Sequence, residues 1–518
     1  MSQGRKSAPE RKLFLVAEEV YGHIHRDHFY ERLDALLDLE FVRKLTSPLY
    51  KDGGRPSLDP VVFFKAMFVG FFENVVYDTE LEYRLSDSLT LRRFLGYALD
   101  ERTPDESTLR KTRQRMPEEV FDQIFRKVLN QCQEAGLLKG RAVGTDSTQI
   151  DANASMDSLK HKTLGCTYEE YVLALRRQDQ PEASRDEAKT ADRKRGTGKA
   201  SNQDWESSTD PEARVMQHSD GHTHLSYRVD TTVDLETGVI VCAAADFAHV
   251  SDQTDFLERV DEATEVLAER GLELLVVVAD KGHHSGENLA GLEEREMLGL
   301  ISSPRTERAA PGFQRTDFVY DPETDTYRCP TGQILRHRKG DERVSKHYQA
   351  RAKDCQGCPH FGVCTKSKSG RSLSVPVQEK LIEANRARGR DADYRPLLQI
   401  RRQRGEAPFG QFKSYGGLRR FAGRGLAYAQ KKTLIAAAGW NLLRLLSGGK
   451  GPKGSATAPS TPISALNRPK RAAIDLLRGF WTRIRAEKTQ IGDSRASAPS
   501  RSPAGWWFTE RAPFSGAC

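Results

Sequence analysis

The stretch LLVVVADKGHHSG, residues 274–286, decides how the middle of this chain is read. Leu274 to Ala279 form an unbroken apolar run rich in valine, the pattern of a strand buried on both faces within a parallel sheet. The run ends on Asp280, and a cation, a glycine and two histidines stand directly behind it. In open α/β sheets ligands gather just beyond the carboxyl ends of the strands. Asp280 therefore sits where such a sheet places its chemistry.

Outward from this strand the pattern continues. RAVGTDST (141–148), HLSYRVDTTVD (224–234) and GVIVCAAADF (238–247) read as earlier strands, and LGLISSP (298–304) as a later one. DQTDFLERVDEATEVLAERG (252–271) and NLAGLEEREM (288–297) are helical and flank the apolar strand. Hairpin-like strands followed by βαβ units give an α/β fold, a mixed sheet with helices on its faces.

Residues 11–135 read as helical. Asp59 and Pro60 supply an N-cap and a first-turn proline for VVFFKAMFVGFFENVV, residues 61–76. TPDESTLRKTRQRM (103–116) is a second capped start, and PEEVFDQIFRKVLNQCQEAG (117–136) a third helix stopped by Gly136. The expected organisation is a helical domain over 1–136, resembling a DNA-binding or assembly domain, and the first part of the α/β domain over 137–304. A Cys-rich insertion over 305–377 and late helices over 378–447, which complete the α/β domain, follow. The polar, mixed-charge residues 175–213 read as a flexible insertion, and the Gly/Pro/Ser-rich residues 448–518 as a disordered tail.

At 518 residues the chain is too long for one core. No apolar run approaches the roughly 20 residues needed to cross a bilayer, and MSQGRKSAPERKLF lacks a signal-peptide core. The expectation is a soluble, cytoplasmic protein with no membrane partner. Lys and Arg exceed Asp and Glu by 80 to 72, a surplus of +8 that permits a polyanionic partner without establishing one.

Two strand-associated acids stand out, Asp146 and Asp280, and a third, Glu406, lies among Arg401, Arg402, Arg404 and Lys413. Three carboxylates brought together from separate elements stay ionised only if a cation neutralises them, and hard oxygen ligands favour Mg²⁺ or Mn²⁺. Such a cluster suits two-metal phosphoryl transfer. The plainer alternatives are a strand-end acid acting as a cap and a surface Arg402–Glu406 pair one helical turn apart. Asp151 competes with Asp146 for the first position, but only Asp146 lies on the apolar part of its strand. His283 and His284 read as a loop that contacts DNA or is solvated, and Lys281 as a phosphate contact or a solvated lysine.

Taken together, these motifs resemble bacterial insertion-sequence transposases of the DDE type, whose catalytic domain has the ribonuclease H-like fold. The resemblance is carried by GRPSLDPVVFFKAMFVGFF (54–72), FLGYALDERTPDESTLRKTRQRM (94–116), GTDSTQIDANAS (144–155), VVVADKGHHS (276–285) and RRQRGEAPFGQFKSYGGLRRFAGRGL (401–426). It implies Asp146, Asp280 and Glu406 as catalytic metal ligands. Relatives carry Tyr, Arg, Glu and Lys separated by two, three and six residues on the late helix; here the positions are Gln399, Arg402, Glu406 and Lys413. Gln399 replaces the tyrosine, which bears on a DNA contact and not on the metal site. The resemblance further implies water-driven cleavage at transposon ends, attack of the freed 3′ hydroxyl on target DNA, and a homo-oligomer that pairs two terminal inverted repeats. The alternative is an inactive or domesticated DNA-binding derivative.

Cys329, Cys355, Cys358 and Cys364 fall within 36 residues, and four thiolates suit a closed structural Zn²⁺ site that would fold a segment with little core. Free cysteines in a loop, or His360 in place of one ligand, are the alternatives. The cations around this cluster, and KSYGGLRRFAGRGL with Arg419 and Arg420, are interleaved with Tyr and Phe and suit contacts to a DNA backbone.

Overall fold

Asp59 accepts a hydrogen bond from the Val61 amide, and Pro60 opens the most deeply buried helix of the N-terminal region. This is a feature of the computed structural model, which describes residues 20–448 apart from 52, 54–55, 196–199, 219–220, 304–311 and 339–344. The tail expected to be disordered thus lies outside the described residues. Among the described residues, the helices bounded within the N-terminal region are α1 (Phe29–Leu36), α2 (Glu40–Thr46), α3 (Pro60–Phe72), α4 (Asp78–Asp87), α5 (Leu89–Leu95), α6 (Glu106–Arg115) and α7 (Glu118–Glu134). α3 is apolar all round and buried on nearly every face, as a helix at the centre of a bundle must be.

The central sheet contains β1 (Ala142–Asp151), β4 (Arg214–Gln217), β5 (Thr223–Asp234), β6 (Ile240–Phe247), β7 (Val276–Ala279) and β8 (Leu298–Ile301). β5 pairs antiparallel with β1, β4 and β6, whereas β1, β7 and β8 run parallel. The parallel crossovers use α10 (Phe256–Ala268) and α11 (Gly286–Glu294). α13 (Glu379–Arg390), α14 (Arg395–Tyr415) and α15 (Leu426–Leu446) complete the layers, with α14 packed on β1, β5 and β7 and α15 on β6, α3 and α7.

Buried asparagines clamp one residue on each of two outer strands, β6 and β8. Asn441 on α15 accepts from the Ile240 amide and donates to the Ile240 carbonyl, each at 2.8 Å. Asn385 on α13 accepts from the Ile301 amide at 2.9 Å and donates to the Ile301 carbonyl at 2.6 Å. Each side-chain amide thus serves as one residue of a further strand and covers an edge that would otherwise template pairing.

The segment expected to be a flexible insertion is instead largely ordered. It holds the end of α8 (Tyr168–Asp179), all of α9 (Arg185–Lys194) and β3 (Trp205–Ser207), which pairs with β2 (Leu159–His161) from just ahead of the segment. Both helices start with capping boxes, Thr167 with Glu170 and Ser184 with Glu187. Trp205 packs edge-on against His161, Tyr168 and Tyr171. Low average hydrophobicity conceals the few aromatic residues that hold this unit together.

The Cys-rich segment forms an antiparallel meander of β9 (Val319–Asp321), β10 (Thr326–Arg328), β11 (Ile334–Arg338), β12 (Ser345–Ala350) and β13 (Ser372–Pro376), with α12 (Ala352–Gln356) before its last strand. Phe318, Tyr327, Leu335, Tyr348, Leu373 and Val375 give it a small core of its own.

Candidate active site

The parallel register of β1 and β7 pairs Thr145 with Ala279, so Asp146 and Asp280 stand one step beyond the last pair, side by side. β7 ends there while β1 continues along β5, which opens a notch at the carboxyl end of β7 with both carboxylates at its rim. Asp151 lies at the far end of β1 beside His218 and His224, away from this notch.

Burial pushes the Asp146 carboxyl above the ordinary aspartate range; Arg401 opposes this shift and the charge of Asp280 adds to it. Asp280 moves the other way. Burial would raise it, but the hydrogen bond and charge of His283, the charge of Arg401 and the Gly282 amide together hold it low. His283, expected in solvent or against DNA, is buried instead: its Nδ1 lies 2.8 Å from Asp280 and its ring packs on Phe256. The Gly282 amide donates to the same carboxylate at 2.8 Å.

Asp252, which sequence reasoning missed, joins this group. Its Oδ1 accepts from the Ser147 hydroxyl at 2.9 Å and lies 3.7 Å from Arg228, a fully buried cation that also pairs with Asp230, Asp246 and Asp255. The only signal in the sequence is an acid shortly after a strand, which is too common to single out.

Helix α14 meets the pair through Arg401 and Gly405. Nη2 of Arg401 lies 2.7 Å from Asp146 Oδ1 and 3.2 Å from the Thr145 carbonyl oxygen. A Cβ on Gly405 would lie 3.5 Å from Asp146 Oδ2. Arg401, Gly405, Pro408 and Phe412 form the buried face, whereas Gln399, Arg402 and Glu406 are exposed on another and Lys413 is half-buried. At about 100° per residue the latter four fall within an arc of roughly 60°, so the expected single face exists. Glu406 on that face lies 3.7 Å from Arg402, the two side chains being 59% and 80% exposed. Among the described residues no three His, Cys, Asp or Glu side chains are grouped closely enough to hold a metal ion. The structure thus brings Asp146 and Asp280 together and leaves Glu406 outside.

Cys329, Cys355, Cys358 and Cys364 line one cavity with His360, but not at ligand spacing. Thr331 lies between two of them, its hydroxyl 3.0 Å from the Cys329 sulfur and 3.8 Å from that of Cys358. Of the residues expected to contact DNA, Lys281, Gln399, Arg402, Arg419 and Arg420 are exposed. Arg420 and Phe421 run beside the end of β1, where the Phe421 amide donates to the Asp151 carbonyl. Burial lowers the pKa of Lys413, with Asp151 acting against that shift. Among the described residues no helix is long and apolar enough to cross a membrane.

Two family models match the chain: a transposase domain (DUF772) over residues 18–115 and a transposase DDE domain over residues 328–446. The chain is a DDE transposase. The DDE-domain match takes in the cysteine-rich meander from residue 328, together with α13, α14 and Glu406, while Asp146 and Asp280 fall outside both matched segments. Comparison with curated proteins gave no match. A cryo-EM structure of a piggyBac transposase synaptic complex with hairpin DNA is similar at 10% identity over 96% of this transposase and 85% of that chain, with a TM-score of 0.30.

Proposed function

We propose that this transposase cuts DNA at the terminal inverted repeats of a bacterial insertion sequence and joins the ends to target DNA, acting as a homo-oligomer in the cytoplasm. The supporting observation is the pairing of Asp146 with Asp280 at the carboxyl end of a parallel strand. The strand order β6-β5-β1-β7-β8, antiparallel and then parallel, supports a ribonuclease H-like reading of the sheet. Two adjacent carboxylates, one held high by burial and by its neighbour's charge, fit a hard divalent cation such as Mg²⁺ or Mn²⁺. When bound, that cation would activate the attacking oxygen and stabilise the leaving one.

The chain's own residues then have distinct tasks. Asp146 and Asp280 hold the charge at the notch, with His283 and the Gly282 amide fixing the orientation of Asp280. Glu406 would join from α14 by turning inward. Arg402, Lys413, Lys281, Gln399, Arg419 and Arg420 would bind phosphates around the notch, a salt-sensitive contribution that carries little sequence information. The four thiols would be drawn together by a structural zinc ion away from the chemistry.

A second reading, an inactive derivative that only binds DNA, is favoured by one observation: Glu406 pairs with Arg402 at the surface. Cleavage and joining of DNA carrying the element's ends, with Mg²⁺ or Mn²⁺, separates the two. Asp146→Asn, Asp280→Asn and Glu406→Gln should each lose activity by roughly 10²-fold or more. Wild-type protein that binds the ends but neither cuts nor joins them establishes the second reading.

A further inference from the structure

The cation nearest Asp146 in the fold is a side chain. Arg401 reaches the carboxylate through one nitrogen, Nη2, which also meets the Thr145 carbonyl, and both partners are largely buried at 8% and 14% side-chain exposure. Its Nε is buried with no hydrogen-bond partner. This is a single-nitrogen contact, weaker than the forked arginine–carboxylate pair that uses two. The same helix carries Glu406 five residues later, about 140° further round its axis. While Arg401 faces Asp146, Glu406 must face elsewhere, and it does. Between the two lie Arg404 and Gly405, and Pro408 removes the amide that would bond the Arg404 carbonyl. The helix is therefore weakest where a twist would exchange one face for the other.

We propose that Arg401 is a positioning residue that competes with a divalent cation for the Asp146 carboxylate: paired, it neutralises Asp146 and holds α14 with Glu406 outside; displaced, it frees the helix to turn Glu406 inward. The inference rests on the reading of Asp146 and Asp280 as a cation site. It predicts opposite effects on two properties, because loss of the guanidinium removes a competitor for the cation and also leaves a buried carboxylate unpaired.

The test uses full-length protein stripped with chelator and titrated with Mn²⁺ at pH 8. Binding is followed by calorimetry and by the electron paramagnetic resonance signal of free Mn²⁺, and folding by circular dichroism. Arg401→Gln should bind Mn²⁺ about ten-fold more tightly than wild type, or better, and melt at a lower temperature without metal. Arg401→Lys, which keeps a charge, should bind as wild type does. Adding Asp146→Asn to Arg401→Gln should erase the gain. If Arg401→Gln does not fold, Arg401→Met keeps the buried stem without the charge and carries the same comparison. Equal or weaker binding by the neutral variant overturns the competition while leaving the cation site standing. Absence of binding in both wild type and neutral variant overturns both readings. Binding by the neutral variant alone supports the competition.

Discussion

Gly282 carries no side chain, and a Cβ there would stand 3.0 Å from Oδ2 of Asp252 and 3.0 Å from Oδ1 of Asp280. The missing methyl lets the two carboxylates flank the loop and leaves the Gly282 amide free to reach Asp280. Gly282→Ala should therefore cost about 1 kcal/mol or more through forced displacement of charged groups. Gly405, across the notch, makes the converse case, because a Cβ there would meet Asp146 at an ordinary 3.5 Å. Gly405→Ala should be neutral or stabilise the protein by up to about 1 kcal/mol through helix propensity. Urea unfolding of the two variants checks the contrast, and equal losses would mean that space at Gly282 is not what matters. The sequence made Asp280 conspicuous because an apolar run stops on it. It could not show that His283 turns inward, since a histidine beside a glycine reads equally as solvated loop, nor that Arg401 rather than Arg402 meets Asp146. Neighbouring arginines on one helix differ only in which face the sheet covers.

Helix-to-helix and helix-to-strand ties set the element scale. Arg113 on α6 is buried, and it grips Asp78 at the start of α4, with Nη1 2.6 Å from Oδ2. Burial alone would raise the Asp78 carboxyl, but the hydrogen bonds and charge of Arg113 hold it below its ordinary value. A carboxyl depressed by folding adds stability above its unfolded pKa, near 4, and that contribution is lost as pH falls through the depressed folded value. Asp78→Asn should destabilise the protein by about 3–5 kcal/mol at pH 7 by leaving a buried guanidinium unpaired, and the deficit should shrink as pH drops below 4. A pH-independent deficit in denaturant titrations would contradict the pairing. At the sheet edge, Asn441→Leu removes both hydrogen bonds to Ile240, and thermal melts should show a loss of about 2–4 kcal/mol for two stranded backbone groups. The strands themselves were legible because alternation and apolar runs are local properties. The asparagine clamps were not, since Asn441 meets Ile240 across 201 positions of chain and nothing local marks an asparagine that will be buried.

Across the whole molecule, one apolar core joins what the sequence suggests are separate regions. Phe63, Phe68 and Phe121 of the N-terminal helices, Tyr227 and Val229 of β5, and Ile435 and Trp440 of α15 belong to a single cluster. Sequence patterns locate apolar faces but not their partners, which is why a boundary near residue 136 looked natural. The meander over the cysteines differs, because Phe318, Leu335, Tyr348 and Leu373 form a core of their own. Differential scanning calorimetry should accordingly show one large transition for the helical region together with the central sheet, and a smaller one for the meander. Cys355 is buried and the other three thiols of the group are partly exposed, so zinc binding would require the loops around Thr331 to close over the metal. A ligand that binds only folded protein stabilises it by about 2.7 kcal/mol at a hundred-fold excess over its dissociation constant. Adding Zn²⁺ should then raise the smaller transition and leave the larger one in place, and chelator should reverse the shift. A small transition indifferent to both would show that its aromatic core suffices and that the four thiols hold no metal.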